Sequence, residues 1–366
     1  MVALRRRRRL SLSHAIQGAR FLSETLIFTS ADRIAIVAPH PDDESIATGG
    51  LIQAARAAGA GVRVIVLTDG DANFWPQRWI EKRWRIDTVA RARWGARRRE
   101  EARAAMRVLG LDAGDTAFFG FPDLGLTDLL MHADPKVPAA LREEFVAFAP
   151  TCVVLPALGD RHPDHSAANI LVRLALQDAG AKFPRLLEFA VHGGVAEGDA
   201  VCDLSDTQRR CKRAAILAHA TQMRLSGKRF LRHAGAAEVF RAAAADAVEN
   251  PRIPLHARAE GDGRLRVELD AELARRGFSV FVVMDGGKRS CRLLVPWKSA
   301  AAELPVFDAM QGKLARAARV EHAGRRVALV IESGCAQWRL GFVKLARPAP
   351  GFWVFDRHGW QAIVRS

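Results

Sequence analysis

The chain is predicted to be an α/β protein: a mostly parallel sheet with helices on both faces, followed by a smaller β-rich domain. Three observations predict this. From Arg33 onward, short apolar runs alternate with helix-length segments. Two clusters rich in histidine and aspartate, at His40–Glu44 and Asp160–His165, each follow one of those runs. After about residue 255 the texture changes to alternating strands separated by glycine or charged turns.

The first apolar run, RIAIVA (Arg33–Ala38), reads as a buried strand. A helix follows from about Ser45 to Ala58, because Gly59 and Gly61 supply the usual stop. VRVIVLT (Val62–Thr68) is the next strand. A helix across about Arg98–Leu109 ends at Gly110, and DTAFFG forms a short strand. A helical stretch precedes Pro150, and CVVLP (Cys152–Pro156) is again a buried strand. Next come a helix over about Asp164–Gln177, a strand around Leu186–Val191 and a helix over about Asp206–Arg224. In the tail, RLRVELD, FSVFVVMD, CRLLVPW, RVALVIES, WRLGFVKL and FWVFD read as strands of a small sandwich. The expected division is a basic arm over 1–31, the α/β domain over 32–250 and the β-rich domain over 255–366.

A chain of 366 residues can bury a sizeable core and form two domains. Its five cysteines, Cys152, Cys202, Cys211, Cys291 and Cys335, are scattered and include no CxxC pair. That argues against a disulfide framework and against a cysteine zinc site, and it suits a reducing compartment. Part of the +15 charge sits in Arg5–Arg9. No apolar segment of signal-peptide length follows that run, and no stretch is long enough to cross a membrane. A cytoplasmic protein is expected. The arginine arm is either solvated or a contact to an anionic surface such as the inner face of the membrane.

In open parallel sheets the site lies outside the carboxyl ends of the strands. Both charged clusters therefore fall on one edge of the sheet. His40 offers an imidazole nitrogen, and Asp42 and Asp43 offer carboxylates that point in different directions. His162 and His165 lie one helical turn apart if a helix begins there. Two histidines and a carboxylate with an open position make a catalytic zinc arrangement. The economical assignment is His40, Asp43 and His165 as ligands, with Asp42 left over as general base. The plainer reading is a turn in which Asp43 caps a helix that starts at Glu44.

At these residues the sequence resembles the PIG-L/LmbE family of zinc-dependent N-deacetylases. The matches are PHPDDE at Pro39–Glu44 and DRHPDH at Asp160–His165. Weaker agreement lies in RRREEARAAMRVLG (Arg97–Gly110), FPDLGL (Phe121–Leu126) and KRAAILAHATQM (Lys212–Met223). The resemblance covers about residues 32 to 245. It implies a Rossmann-like fold and removal of the acetyl group from an N-acetylglucosamine unit. It implies His40, Asp43 and His165 as zinc ligands, with iron(II) as the alternative metal. Asp42 becomes the base, and His162 steadies the oxyanion or protonates the departing amine. Asp164 orients a histidine. Arg98, in an R-x-x-E arrangement with Glu101, and Asp123 match positions that hold the sugar. Some members use a tyrosine near the second cluster, and this chain contains none.

Between the second strand and the Arg98 helix, Trp75, Trp79, Trp84 and Trp94 alternate with arginines. This segment reads either as a lid over the substrate or as an insertion whose tryptophans pack inward. With the lid reading, the expected substrate is an anionic N-acetylated saccharide or glycolipid, lipid- or nucleotide-linked, touched by Arg83, Arg85 and Arg91. Nucleic acid is not an expected partner. His219 and Gln222 read as structural, and His132, His192 and His233 show no partner. Trp338, Trp353 and Trp360 read as core residues of the tail, with sugar stacking as the alternative. Two other functions compete: an amidase on another acylated amine, and a binding protein for polyanions or carbohydrate. The spare carboxylate of Asp42 argues against the latter, because a structural zinc site closes all its positions. Metal analysis of the purified chain is expected to find about one zinc or iron per molecule, lost in His165→Ala. No metal in either protein after reconstitution would remove the catalytic reading.

Overall fold

The computed structural model describes residues 24–177, 183–193, 199–243, 255–260, 263–270, 278–287, 289–297, 301–334, 337–346 and 354–365. The Arg5–Arg9 run, Cys335 and Trp353 lie outside them. The first part of the chain runs β1 (Glu24–Thr25), β2 (Arg33–Ala38), α1 (Asp43–Ala57), β3 (Gly61–Thr68), α2 (Phe74–Glu81), α3 (Thr88–Val108), β4 (Thr116–Phe121), α4 (Leu126–Met131), α5 (Lys136–Phe148), β5 (Cys152–Pro156) and α6 (Pro163–Leu176). It continues through β6 (Arg185–Phe189), β7 (Ala200–Asp203), α7 (Asp206–Ala218), α8 (Ala220–Leu231) and β8 (Ala237–Ala243).

Among the described residues these strands form one sheet in the order β1-β7-β8-β6-β5-β2-β3-β4. Strands β2 to β6 run parallel to one another, and β8 runs antiparallel to β6 and β7. The fold is therefore the expected mixed α/β sheet, with its antiparallel part confined to one side. Alternate residues of β2 serve opposite faces. Ile34, Ile36 and Ala38 join one apolar cluster with Leu51 and Met106. Ala35 and Val37 join another with Leu141 and Leu171.

The order of these strands positions the site. From β2 the chain moves outward to β3 and β4, then returns to lay β5 on the other side of β2. The crevice between the turns that follow β2 and β5 is a topological switch point, where such sheets bind ligands. Ile34 pairs with Cys152 and Ile36 with Val154, so the two loops emerge side by side.

Several elements differ from the sequence expectation, each for a tertiary reason. Helix α3 begins at Thr88, ten residues before Arg98, because Asp87 accepts the Ala90 N–H at 2.7 Å and caps it. The single helix expected over Asp206–Arg224 is two helices that meet at His219. Glu101 accepts the N–H and hydroxyl of Thr221 at the start of the second, which satisfies donors that a continuous helix would bond internally. Helix α1 crosses the β7–α7 connection closely: a Cβ on Gly50 would lie 2.6 Å from Leu204.

The tail forms β9 (Leu255–Ala259), β10 (Arg264–Asp270), β11 (Ser279–Asp285), β12 (Ser290–Pro296), β13 (Glu303–Asp308), β14 (Lys313–Ala323), β15 (Arg326–Glu332), β16 (Leu340–Ala346), β17 (Gln361–Ala362) and β18 (Val364–Arg365). The expected sandwich is instead one continuous sheet, ordered β17-β16-β11-β12-β13-β14-β15-β10-β9-β18. Leu265, Val280, Leu304, Leu329 and Val343, from strands spread across it, share one cluster, so the sheet curls over its own inner face. Residues 354–356 of FWVFD are not strand; they lie across the loop before α6. The second sheet packs on the helix layer that covers one face of the first. Val283, Phe342 and Trp360 enter the cluster beneath α4–α6, and Arg292 Nε donates to Leu130 O at 3.1 Å. No helix among the described residues is long and apolar enough to cross a membrane.

Trp360→Ala should cost about 3–5 kcal/mol in denaturant unfolding, since the indole is 1% exposed and joins the two sheets. An unchanged midpoint would show that this packing contributes nothing.

Candidate active site

The two clusters meet at the switch point. Asp43 opens helix α1, so it sits inside the first turn and does not cap a helix starting at Glu44. Its carboxylate instead accepts the backbone N–H of His40 at 3.0 Å, which folds the His40–Asp43 turn onto itself. At the other cluster His162 is the residue before α6, and Pro163 takes the first helical position, where its missing N–H costs nothing.

These turns bring three ligating atoms together. His40 Nδ1 lies 3.2 Å from Asp43 Oδ2 and 3.2 Å from His165 Nε2, and His165 Nε2 lies 3.2 Å from Asp43 Oδ2. Four ligands placed tetrahedrally at zinc bond lengths sit about 3.3–3.4 Å from one another. The triangle therefore has the size of one face of such a site, and its donor set of two imidazoles and a carboxylate fits a divalent transition metal. Two wider groups, His40–His162–His165 and His40–Asp123–Asp164, keep ligand atoms within 4.8 Å. The 3.2 Å triangle is tighter and matches the tetrahedral edge, so it is the better seat.

Carboxylates lie beside the outer nitrogens of both rings. Asp160 Oδ2 lies 3.3 Å from His165 Nδ1, and Asp160 also accepts the backbone N–H groups of His162, Val191 and His192. His40 Nε2 lies 3.3 Å from Asp123 Oδ1 and 3.4 Å from Asp164 Oδ2. Asp123 accepts the Ala72 N–H, and Asp164 accepts those of Leu124 and Leu126. Such partners fix the orientation of metal-binding imidazoles.

The resemblance implies Arg98 and Asp123 at the sugar; in the structure both lie against the histidine–aspartate cluster. Arg98 is 4% exposed. Its guanidinium donates to Asp42 Oδ2 at 2.9 Å and to Gly70 O at 2.6 Å. It does not pair with Glu101, which is engaged with Thr221 and Arg97. His219 behaves as a structural histidine, bonded to Ser45 Oγ at 3.0 Å, and Gln222 accepts from Asn73. Of the four tryptophans before Arg98, Trp94 is buried, while Trp75, Trp79 and Trp84 are exposed. Arg91 of that segment is spent on Asp71.

Two residues escaped sequence reasoning. Asp160 is part of DRHPDH, and the need for a carboxylate behind His165 was a usable signal. His192 follows β6, a third strand ending on the same edge. Its ring lies 5.0 Å from that of His165 and 5.5 Å from that of His162.

The electrostatics follow from this packing. Burial pushes His165 down, but Asp43 and Asp160 outweigh it and raise the ring to about 9. Burial likewise opposes charge on His40, yet Asp123, Asp164 and Asp43 hold it well above the usual histidine value. His162 goes the other way: burial, then the neighbouring rings of His40, His165 and His192, press it well below that value. Burial and His165 press His192 down to about 3. Asp43 is held well below the ordinary carboxylate range, since His165 and His40 overcome its burial. Burial raises Asp42, and Arg98 only partly opposes that.

A buried cluster of imidazoles and carboxylates at the switch point of an α/β sheet marks a candidate catalytic site. The family model described as PIG-L, GlcNAc-PI de-N-acetylase, matches residues 35–176, a span that holds both clusters. The 1D-myo-inositol 2-acetamido-2-deoxy-alpha-D-glucopyranoside deacetylase of Mycobacteroides abscessus is 31% identical over 235 residues, covering 53% of this chain and 82% of that protein. The protein of the same name from Mycobacterium sp. (strain KMS) is 30% identical, covering 52% and 74% respectively. The chain belongs to the PIG-L family and is an N-deacetylase, an enzyme that hydrolyses a carbon–nitrogen amide bond. Among solved structures, the N,N'-diacetylchitobiose deacetylase from Pyrococcus horikoshii shares 20% identity at a TM-score of 0.46, over 58% of this chain and 84% of that one.

Asp160→Asn is expected to weaken metal binding about 10–100-fold, measured by competition with a chelator. Unchanged affinity would remove the orienting role of Asp160.

Proposed function

We propose that the chain removes the N-acetyl group from an N-acetylglucosamine-type sugar in a metal-dependent hydrolysis. The observation that carries this is the 3.2 Å triangle of His40, Asp43 and His165, with the carboxylate of Asp42 left beside it. The named substrates of the mycobacterial relatives support the sugar class. His40, Asp43 and His165 would hold the metal, with zinc favoured by two imidazoles and one carboxylate and iron(II) as the alternative. A bound metal supplies Lewis acidity at the amide carbonyl and lowers the pKa of water.

The chain's own groups divide the remaining work. Asp42 accepts a proton from the attacking water, and Arg98 fixes the carboxylate for that task. A neutral imidazole carries one proton. His162 Nδ1 accepts the Asp164 N–H at 3.2 Å, so the proton sits on Nε2. Held well below its usual pKa, His162 is a neutral donor suited to the oxyanion of the tetrahedral intermediate. The proton taken by Asp42 returns to the sugar nitrogen as the C–N bond breaks. The products are the free amine and acetate. No tyrosine is needed for the oxyanion in this arrangement.

An anionic aglycone, lipid- or nucleotide-linked, is supported by the exposed face of α2 and the segment after it. Arg78 lies 5.3 Å from the rings of both Trp75 and Trp84. Arg83 and Arg85 are exposed there.

Asp42→Asn should lower kcat about 10²–10⁴-fold while the metal stays bound. In the wild type, activity should fall with acid as Asp42 takes up its proton, and burial places that limb above the ordinary carboxylate value. An unaffected kcat in the variant would assign the base elsewhere.

A further inference from the structure

The segment 354–360, which leads into β17, is seated on the loop that leads through His162 into α6. The Asp356 N–H donates to Arg161 O at 2.8 Å, and Arg161 Nε donates to Asp356 O at 3.3 Å. Lys344, from β16, holds the Asp356 carboxylate at 2.5 Å. Behind this contact Gly359 touches the backbone of the loop. A Cβ there would lie 2.5 Å from Asp160 O and 2.6 Å from Leu158 O, so no other residue fits without displacing one chain or the other. Trp360 then anchors the segment in the core.

This strap carries Phe355 to the histidines. Its ring centroid lies 4.8 Å from that of His192 and 5.8 Å from that of His162. A phenylalanine recruited for packing would join an apolar core. Phe355 belongs to none of the apolar clusters among the described residues. Phe355 is half-buried whereas His162 and His165 are buried, which puts the ring on the solvent side of the histidine cluster.

We propose that Phe355 is a specificity-determining residue: the second sheet contributes it as a wall of the catalytic cleft, against which the apolar face of the sugar packs. The inference rests on the N-acetyl-sugar reading above. The amide reaches His162, and the group beyond it toward the mouth is the sugar ring, because the acetyl side ends in a single methyl. A half-buried phenyl ring offers that C–H face a flat apolar partner at little entropic cost.

The test uses the full chain with N-acetylglucosamine as the probe. Phe355→Ala should raise KM about tenfold with kcat within about threefold and metal content unchanged. Phe355→Tyr should restore KM. Calorimetric binding of the same sugar in an Asp42→Asn background should weaken by the same factor when Phe355 is replaced by alanine. Unchanged KM and unchanged binding would overturn the proposal, as would loss of metal from Phe355→Ala, which marks a merely structural ring. A wild type that cleaves nothing, but whose sugar binding still weakens tenfold, would sink the deacetylation reading and leave the wall standing. No binding of this sugar by either form would overturn both.

Discussion

The site depends on crowding two imidazoles and one carboxylate to within 3.2 Å of one another where almost no water reaches them. Taking isolated ions out of water costs several kcal/mol each, so a cluster like this survives only if charge is answered by charge. Here the answer is an alternation. Asp43 faces both rings, Asp160 backs one, and Asp123 and Asp164 back the other. Asp43 and Asp164 also lie in the first turns of α1 and α6, where the positive end of a helix favours a negative side chain. The strand order supplies the place for this, because two helices start side by side only at the switch point.

Within that cluster the groups that would do chemistry are separated from those that would hold the metal by what each one touches. Asp42 is next to a ligand in sequence, yet its partner is Arg98 and not an imidazole. Arg98 reaches it from α3, and the same guanidinium ties down the Gly70 carbonyl. Asp42 is thereby fixed by a residue outside both clusters. His162 is one turn from His165, but it is surrounded by rings and accepts a backbone N–H, so its environment favours the uncharged form. His162, just before α6, and His165, in its first turn, are thus pushed in opposite directions, His165 upward and His162 downward.

The second sheet is joined to the first through a shared core and through the strap. Its inner face satisfies itself, and its outer residues Val283 and Phe342 complete the cluster beneath α4–α6. That docking fixes where the chain must run before β17, and the run passes over the His162 loop. The contact is with backbone at Gly359 and Asp356, so it bears on the loop that carries Asp160 and Arg161, just before α6.

Much of the α/β sheet was legible in the sequence because buried parallel strands are continuous apolar runs, and RIAIVA and CVVLP admit no other reading. The residues that gather at the candidate site were legible for a local reason: His40, Asp42 and Asp43 share one turn, as His162 and His165 share another. What stayed hidden was set by contacts between distant segments. The break at His219 comes from Glu101 and Ser45, on α3 and α1. The burial of Arg98 goes with its pairing to Asp42, and the exposure of Trp75 and Trp79 goes with the packing of α2 on α8. His192 and Phe355 reach the cluster from the end of β6 and from the strap. The sequence by itself determined which residue types are available at each strand end, since apolar runs and turn chemistry are local. Only the tertiary structure decided which of those ends become neighbours, because strand order and sheet docking are set by burial summed over the whole chain.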